Sequence, residues 1–173
     1  MRACRPTIRE LTGEDGAAVD AVSAGLSTHS RLVQYHPRLS RLTTPARAAL
    51  LDLDGRDHLG LVAELPSSTG WGAVGTARLV RTGPDEAEIA VEVVDRWQRR
   101  GVGLRLLAEL GARAESLGYA VLHAFVLPEN RDAVRLLQRA FPGAVPCWAD
   151  GVIHVRCRVG VETHDDLLSA LAS

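Results

Sequence analysis

Residues 87–117 limit the possible folds most. Ala87-Glu88-Ile89-Ala90-Val91-Glu92-Val93-Val94 alternates apolar with other residues and carries β-branched side chains, so it predicts a strand. Gln98-Arg99-Arg100-Gly101-Val102-Gly103 follows as a short basic glycine loop. From Leu104, apolar residues recur at helical spacing as far as Leu117, and Gly118 stops the helix. At a helix start, several backbone N–H groups lack an intrahelical acceptor, and the macrodipole is positive there. Glycines let a ligand approach such a backbone closely. The segment therefore predicts an anion site, most simply for a phosphate. Its spacing is not Gly-x-Gly-x-x-Gly, because Leu104-Arg105-Leu106 follow Gly103, and it is not the P-loop pattern.

The rest of the chain predicts strands alternating with helices. Thr7–Leu11 reads as a first strand, Thr12–Asp15 as a turn with N-cap residues, and a helix runs to about Leu26. Residues 27–56 are helical pieces broken by Pro37 and Pro45. His58–Leu65 and Trp71–Thr82 are strands, and Tyr119–Leu127 is another. Asn130 opens a helix through Ala140. Val145–Ala149 and Val152–Val159 flank Asp150-Gly151, a hairpin signal, and Asp165–Leu171 predicts a short last helix. This order gives an α/β fold, one mixed sheet with helices on both faces, as a single domain over residues 1–173.

Composition removes several classes of function. The chain has 173 residues, 46% hydrophobic and 24% charged, with a net charge of −1, so no general field draws it to nucleic acid or an anionic membrane. No apolar run approaches the ~20 residues that span a bilayer. Met1-Arg2-Ala3-Cys4-Arg5-Pro6 has no apolar leader core, and Cys4, Cys147 and Cys157 lack metal-ligand spacing. Reduced thiols in a cytoplasmic protein are the expectation, with the cysteines acting as small buried hydrophobes. All 20 basic side chains are arginine, so no lysine nucleophile exists in the chain and no lysine side chain is open to modification in cis. Arginine-favouring codon composition accounts for this without any function.

The pattern Gln-x-x-Gly-x-Gly opening a helix resembles the acetyl-CoA pyrophosphate loop of the GNAT N-acetyltransferase superfamily. Leu127-Pro128-Glu129-Asn130, with Ala133 and Leu136-Leu137 after it, resembles a second element of that superfamily. The resemblance covers roughly residues 6–142. It implies a mostly antiparallel splayed sheet and acetyl-CoA as cosubstrate. It also implies cofactor contacts from Arg99, Arg100, Gly101, Val102, Gly103, Leu104 and Asn130, with pantetheine lying along the backbone of Val91 and Val93. Taken alone, Asn130 is simply a good N-cap after proline. The superfamily often places a tyrosine, the acid for the departing thiolate, where this chain has Leu137. Its usual Gly-Phe after the helix is altered here to Phe141-Pro142-Gly143.

His36-Pro37-Arg38-Leu39-Ser40 and Leu53–Glu64 narrow the resemblance to the acetyltransferase domain of bacterial protein lysine acetyltransferases. Ala87-Glu88-Ile89-Ala90 fits the same subfamily, whose general base is the glutamate matched by Glu88. Some members carry a cyclic-nucleotide-binding domain, for which 173 residues leave no room.

Acetyl transfer needs a base to deprotonate the amine and donors for the developing oxyanion. Glu88 and Glu92 stand four apart on a strand and share a face, and Glu86 joins them if the strand starts early. Glu88 is the expected base and Glu92 the alternative. Trp97 reads as packing and His123 as a core or site-lining residue. His29, His36 and His58 have neither metal nor triad spacing. Three functions fit: an N-acetyltransferase acting on a protein lysine, one acting on a small amine, and a silent CoA-binding module. Residues 27–56, the expected acceptor wall, lack an acidic cluster suited to polyamines or aminoglycosides.

Overall fold

In the computed structural model, which describes residues 5–27, 44–67 and 70–160, the alternating segments form seven strands. They are β1 (Thr7–Glu10), β2 (His58–Ser67), β3 (Gly70–Arg81), β4 (Glu86–Val93), β5 (Val121–Val126), β6 (Val145–Ala149) and β7 (Val152–Arg158). The helices are α1 (Gly16–Ala24), α2 (Thr44–Leu51), α3 (Val102–Ser116) and α4 (Arg131–Ala140), with a 3₁₀ turn at Asp95–Trp97. The predicted elements at Asp165–Leu171 and around Pro37, together with His29, His36 and Cys4, lie outside the described residues.

The strands make one open sheet in the order β1-β2-β3-β4-β5-β7-β6. Every neighbouring pair is antiparallel except β4 and β5. That parallel pair is short: Glu86↔Val121, Ala87↔Leu122 and Glu88↔His123 are in register, and beyond Glu88 the strands part. β3 stays with β4 through Val93, so it is β5 that diverges.

The face packed against α3 and α4 holds the main core. Leu61, Leu79, Leu106, Leu107, Leu110, Leu122 and Val155 are fully buried in it. On α3, Leu106, Leu110 and Ala114 recur every fourth residue and so share one face. A Cβ on Gly111 would sit 2.8 Å from Phe141 Cε1, so glycine there lets the Phe141 ring cover the helix. The opposite face carries a smaller cluster of Leu11, Val19 and Val62, closed by Leu50, Leu51 and Leu53. Arg9 ties this side together, with Asp15 at 2.7 Å and Glu64 at 3.0 Å. Asp15, expected as a helix cap, instead accepts from Arg9 and from the Thr12 backbone and hydroxyl. That pairing holds its carboxyl down to about 2.

The β6–β7 hairpin closes through Asp150 (φ 49°) and Gly151 (φ 80°), the paired positive-φ geometry of a type I′ turn. Among the described residues β6 is an edge strand, exposed along its whole length, and Pro146 lies within it. Of the two described cysteines, one is the small buried hydrophobe expected and the other is not. Cys157 is buried, and burial pushes its thiol up to about 12, whereas Cys147 is exposed on β6. Register puts Cys147 beside His154, on the face opposite Cys157. No helix among the described residues is long and apolar enough to cross a membrane.

Candidate active site

Where β5 leaves β4, a cleft of about 420 Å³ passes through the sheet. One wall is Glu88–Val91 of β4, the other is Ala124–Val126 of β5 with Leu127 just beyond it. Leu107 of α3, Asn130 just before α4, Ala133 and Leu137 of α4 and Val152 of β7 complete it.

The glycine loop stands at the far end of β4. Arg99 (φ 58°) and Gly101 (φ 82°) are both left-handed, which curls the backbone just ahead of α3. Gly101 is the N-cap, and Arg105 N–H is the one that donates to its carbonyl, at 3.1 Å. The amides of Val102, Gly103 and Leu104 therefore form the acceptor-free first turn of α3. Gln98 pins the loop, because its Nε2 donates to Val93 O at 3.0 Å and to Asp95 Oδ1 at 3.1 Å. This role of the motif's glutamine was missed in the sequence, since it depends on the 3₁₀ turn that brings residue 98 back to the strand end.

The other predicted cofactor residues divide by position. Val91 lines the cleft, while Val93 lies outside its lining and gives its carbonyl to Gln98. Arg99 approaches Asp132 at the start of α4, at 3.5 Å. Arg100 lies over the Trp97 ring, 5.2 Å from its centroid, and Arg96 lies over the same ring at 6.0 Å. Trp97 is thus packing against the main core, as expected. A Cβ on Gly103 would sit 3.0 Å from Leu136 Cδ2, so Gly103 also sets the contact of α3 with α4. Asn130 caps α4, accepting from Ala133 N at 3.1 Å, and borders the cleft. Leu137 is buried in the cleft wall and offers no proton. Tyr119 donates to Arg56 O at 3.0 Å, at the end of β5 away from the cleft.

β4 does begin at Glu86, so Glu86, Glu88 and Glu92 share a face. Their surroundings differ sharply. Glu88 is exposed, borders the cleft, and has no hydrogen-bond or ion-pair partner among the described residues. Glu92 is 5% exposed, with Thr76 Oγ1 at 3.3 Å and Arg78 Nη2 at 3.4 Å. Burial pushes the Glu92 carboxyl up to about 7 and the Arg78 guanidinium down to about 10. Glu86 reaches His123 Nε2 at 3.3 Å, and His123 Nδ1 meets His154 Nε2 at 2.8 Å. His58 Nδ1 bonds Asp52 O at 2.6 Å, a structural contact. No group of three His, Cys, Asp or Glu residues among the described residues has metal-site geometry.

Comparison with known proteins agrees with this arrangement. Residues 31–141 match the Acetyltransferase (GNAT) family. The GNAT domain of S. lividans PAT superposes with a TM-score of 0.79 at 26% identity, over 89% of this chain and 90% of that one. A phosphinothricin acetyltransferase from Sinorhizobium meliloti, solved in complex with AcCoA, gives 0.72 at 16% identity, over 90% and 89%. A cAMP-binding acyltransferase from Mycobacterium smegmatis gives 0.59 at 24% identity, over 95% of this chain and 48% of that one. No curated protein sequence matches the chain. The splayed sheet, the glycine loop at the start of α3 and the match over residues 31–141 together make this chain a member of the GNAT acetyltransferase family.

Proposed function

We propose that the chain transfers an acetyl group from acetyl-CoA to a lysine ε-amine of a protein, with Glu88 as general base. The observation that carries this reading is the cleft opening at Glu88, an unpartnered carboxylate on the wall of the same strand that leads into the glycine loop before α3. The pyrophosphate sits on the amides of Val102, Gly103 and Leu104, favoured by the helix dipole. Arg99 and Arg100 frame the loop, Asn130 faces the pantetheine, and the β4 backbone from Val91 orients it like an added strand. The amine attacks the thioester carbonyl, a C–N bond forms, and the C–S bond breaks. Glu88 takes the amine's proton. A thiol pKa of ~8.5 makes the thiolate a tolerable leaving group that water can protonate, consistent with a leucine at residue 137. A protein acceptor is supported by the likeness to S. lividans PAT, a protein acetyltransferase.

A specific observation favours a second assignment of the base. A general base works best with a pKa near the working pH, and Glu92 stands at about 7. The discriminating experiment is thiol release from acetyl-CoA with a lysine peptide. Glu88→Gln is expected to lower turnover by ~10²-fold or more with acetyl-CoA affinity unchanged. If Glu92→Gln gives that pattern and Glu88→Gln does not, the base is Glu92. Release of no thiol by the wild type with any amine would overturn the enzyme reading.

A further inference from the structure

The sheet face opposite α3 and α4 holds a second cavity, of about 480 Å³, on its β7–β6 half. His154, Arg156 and Arg158 of β7 line it, with Val145 and Cys147 of β6 and the Pro142-Gly143 turn. Register orders this face into rows. Glu88, His123, Arg156 and Val145 lie in one row, and Glu86, Val121 and Arg158 in the next. Acidic side chains stand at the β4 end, arginines at the β7 end, and the hydrogen-bonded His123–His154 pair between them.

The cavity and the cleft share a wall. Phe125 lines the cleft, and His154, which lines the cavity, stacks on it with ring centroids 4.9 Å apart. Arg9, Arg47, Arg78, Arg81 and Arg113 each meet a carboxylate. Arg156 and Arg158 make no ion pair or side-chain hydrogen bond among the described residues. A guanidinium fork beside an open cavity is suited to a carboxylate, which it binds in bidentate fashion.

We propose that this cavity is an acceptor subsite, in which Arg156 and Arg158 take the carboxylate of an acidic residue flanking the target lysine. The inference deepens the proposed function and rests on it. Neighbouring strands are ~4.8 Å apart, so Glu88 and Arg156, two strands removed, are separated by roughly 10 Å of sheet. The amine and carboxylate of an α-amino acid are under about 4 Å apart and cannot reach both ends. A lysine side chain followed by an adjacent acidic residue spans ~10 Å, given 3.8 Å between consecutive Cα atoms. Exposed Val145 lines the cavity and exposed Phe125 stacks on its His154, an open surface suited to a peptide.

The test uses labelled peptides identical except for Glu or Gln beside the lysine, with affinity read by fluorescence anisotropy in saturating CoA. The acidic peptide should bind about tenfold tighter or more, and the preference should shrink as salt is added. Arg156→Gln with Arg158→Gln should bring the ratio near one, and lysine at both positions should restore part of it. Acetyl-CoA affinity serves as the control that the variants fold. Equal affinities in the wild type, or a preference that survives the double Gln variant, would overturn the subsite. Thiol release is followed in parallel, because binding preference without turnover defeats the enzyme reading alone, and equal acetylation of both peptides with equal affinity defeats the subsite alone.

Discussion

Glu92 shows how far one buried carboxylate shapes the behaviour of the chain. Its folded pKa of about 7 lies above the ordinary 4.5, so between these values the folded state holds more protons than the unfolded. The stability due to protonated Glu92 is therefore complete below pH ~4.5 and is lost as pH rises through ~7. The full loss is on the order of 3 kcal/mol. Urea unfolding of the wild type should show ΔG falling from pH 5 to pH 8. In Glu92→Gln that slope should vanish, with stability at pH 8 no longer below that at pH 5, because the neutral amide stands in for the protonated carboxyl. An unchanged slope would show that Glu92 does not titrate there. Asp15 acts in the opposite sense: its lowered pKa gives stability that is present above ~4 and lost as pH falls through about 2.

At the scale of elements, the glycine loop and the two helices beside it work as one piece. Gln98→Ala removes both pins on the loop, each worth about 1 kcal/mol. Acetyl-CoA affinity should weaken by roughly 5- to 30-fold in calorimetry, with a drop of several degrees at most in the melting midpoint. Phe141→Ala should do the reverse. It empties the space over Gly111 and should cost about 3–5 kcal/mol in denaturant unfolding. A large residue at Gly103 would press on Leu136 and so would test helix packing rather than ligand binding.

These elements also mark what the sequence could and could not reveal. The strand, glycine loop and helix, the Asn130 cap and the Asp150-Gly151 hairpin are short-range patterns and were legible. Alternation placed Glu88 and Glu92 on one face. It could not tell which was covered, because Thr76 and Arg78 reach Glu92 only through β3 pairing. Nor was the Glu86–His123–His154 chain visible, since it joins three strands, and the exposure of Cys147 follows from β6 being at the edge.

Across the whole molecule, two parts of the sheet are joined by only three register pairs between β4 and β5. A ligand seated in the cleft touches both parts and should couple them. Acetyl-CoA at 100 times its Kd should add about 2.7 kcal/mol to unfolding. Hydrogen exchange should slow most at Ile89–Val91 and Ala124–Val126, the two cleft walls. A uniform slowing, with no extra protection at these walls, would place the ligand elsewhere.

The edge strand β6 bears on how the protein behaves in concentrated solution. Its five residues include exposed Val145 and Trp148, a combination that invites pairing with another chain. Pro146 interrupts that invitation, because proline has no N–H to offer and is tolerated in a strand where the missing donor faces outward. Its place predicts that Pro146 limits pairing at this edge. Replacing it with valine should leave acetyl transfer intact while sedimentation shows stronger concentration-dependent self-association than the wild type.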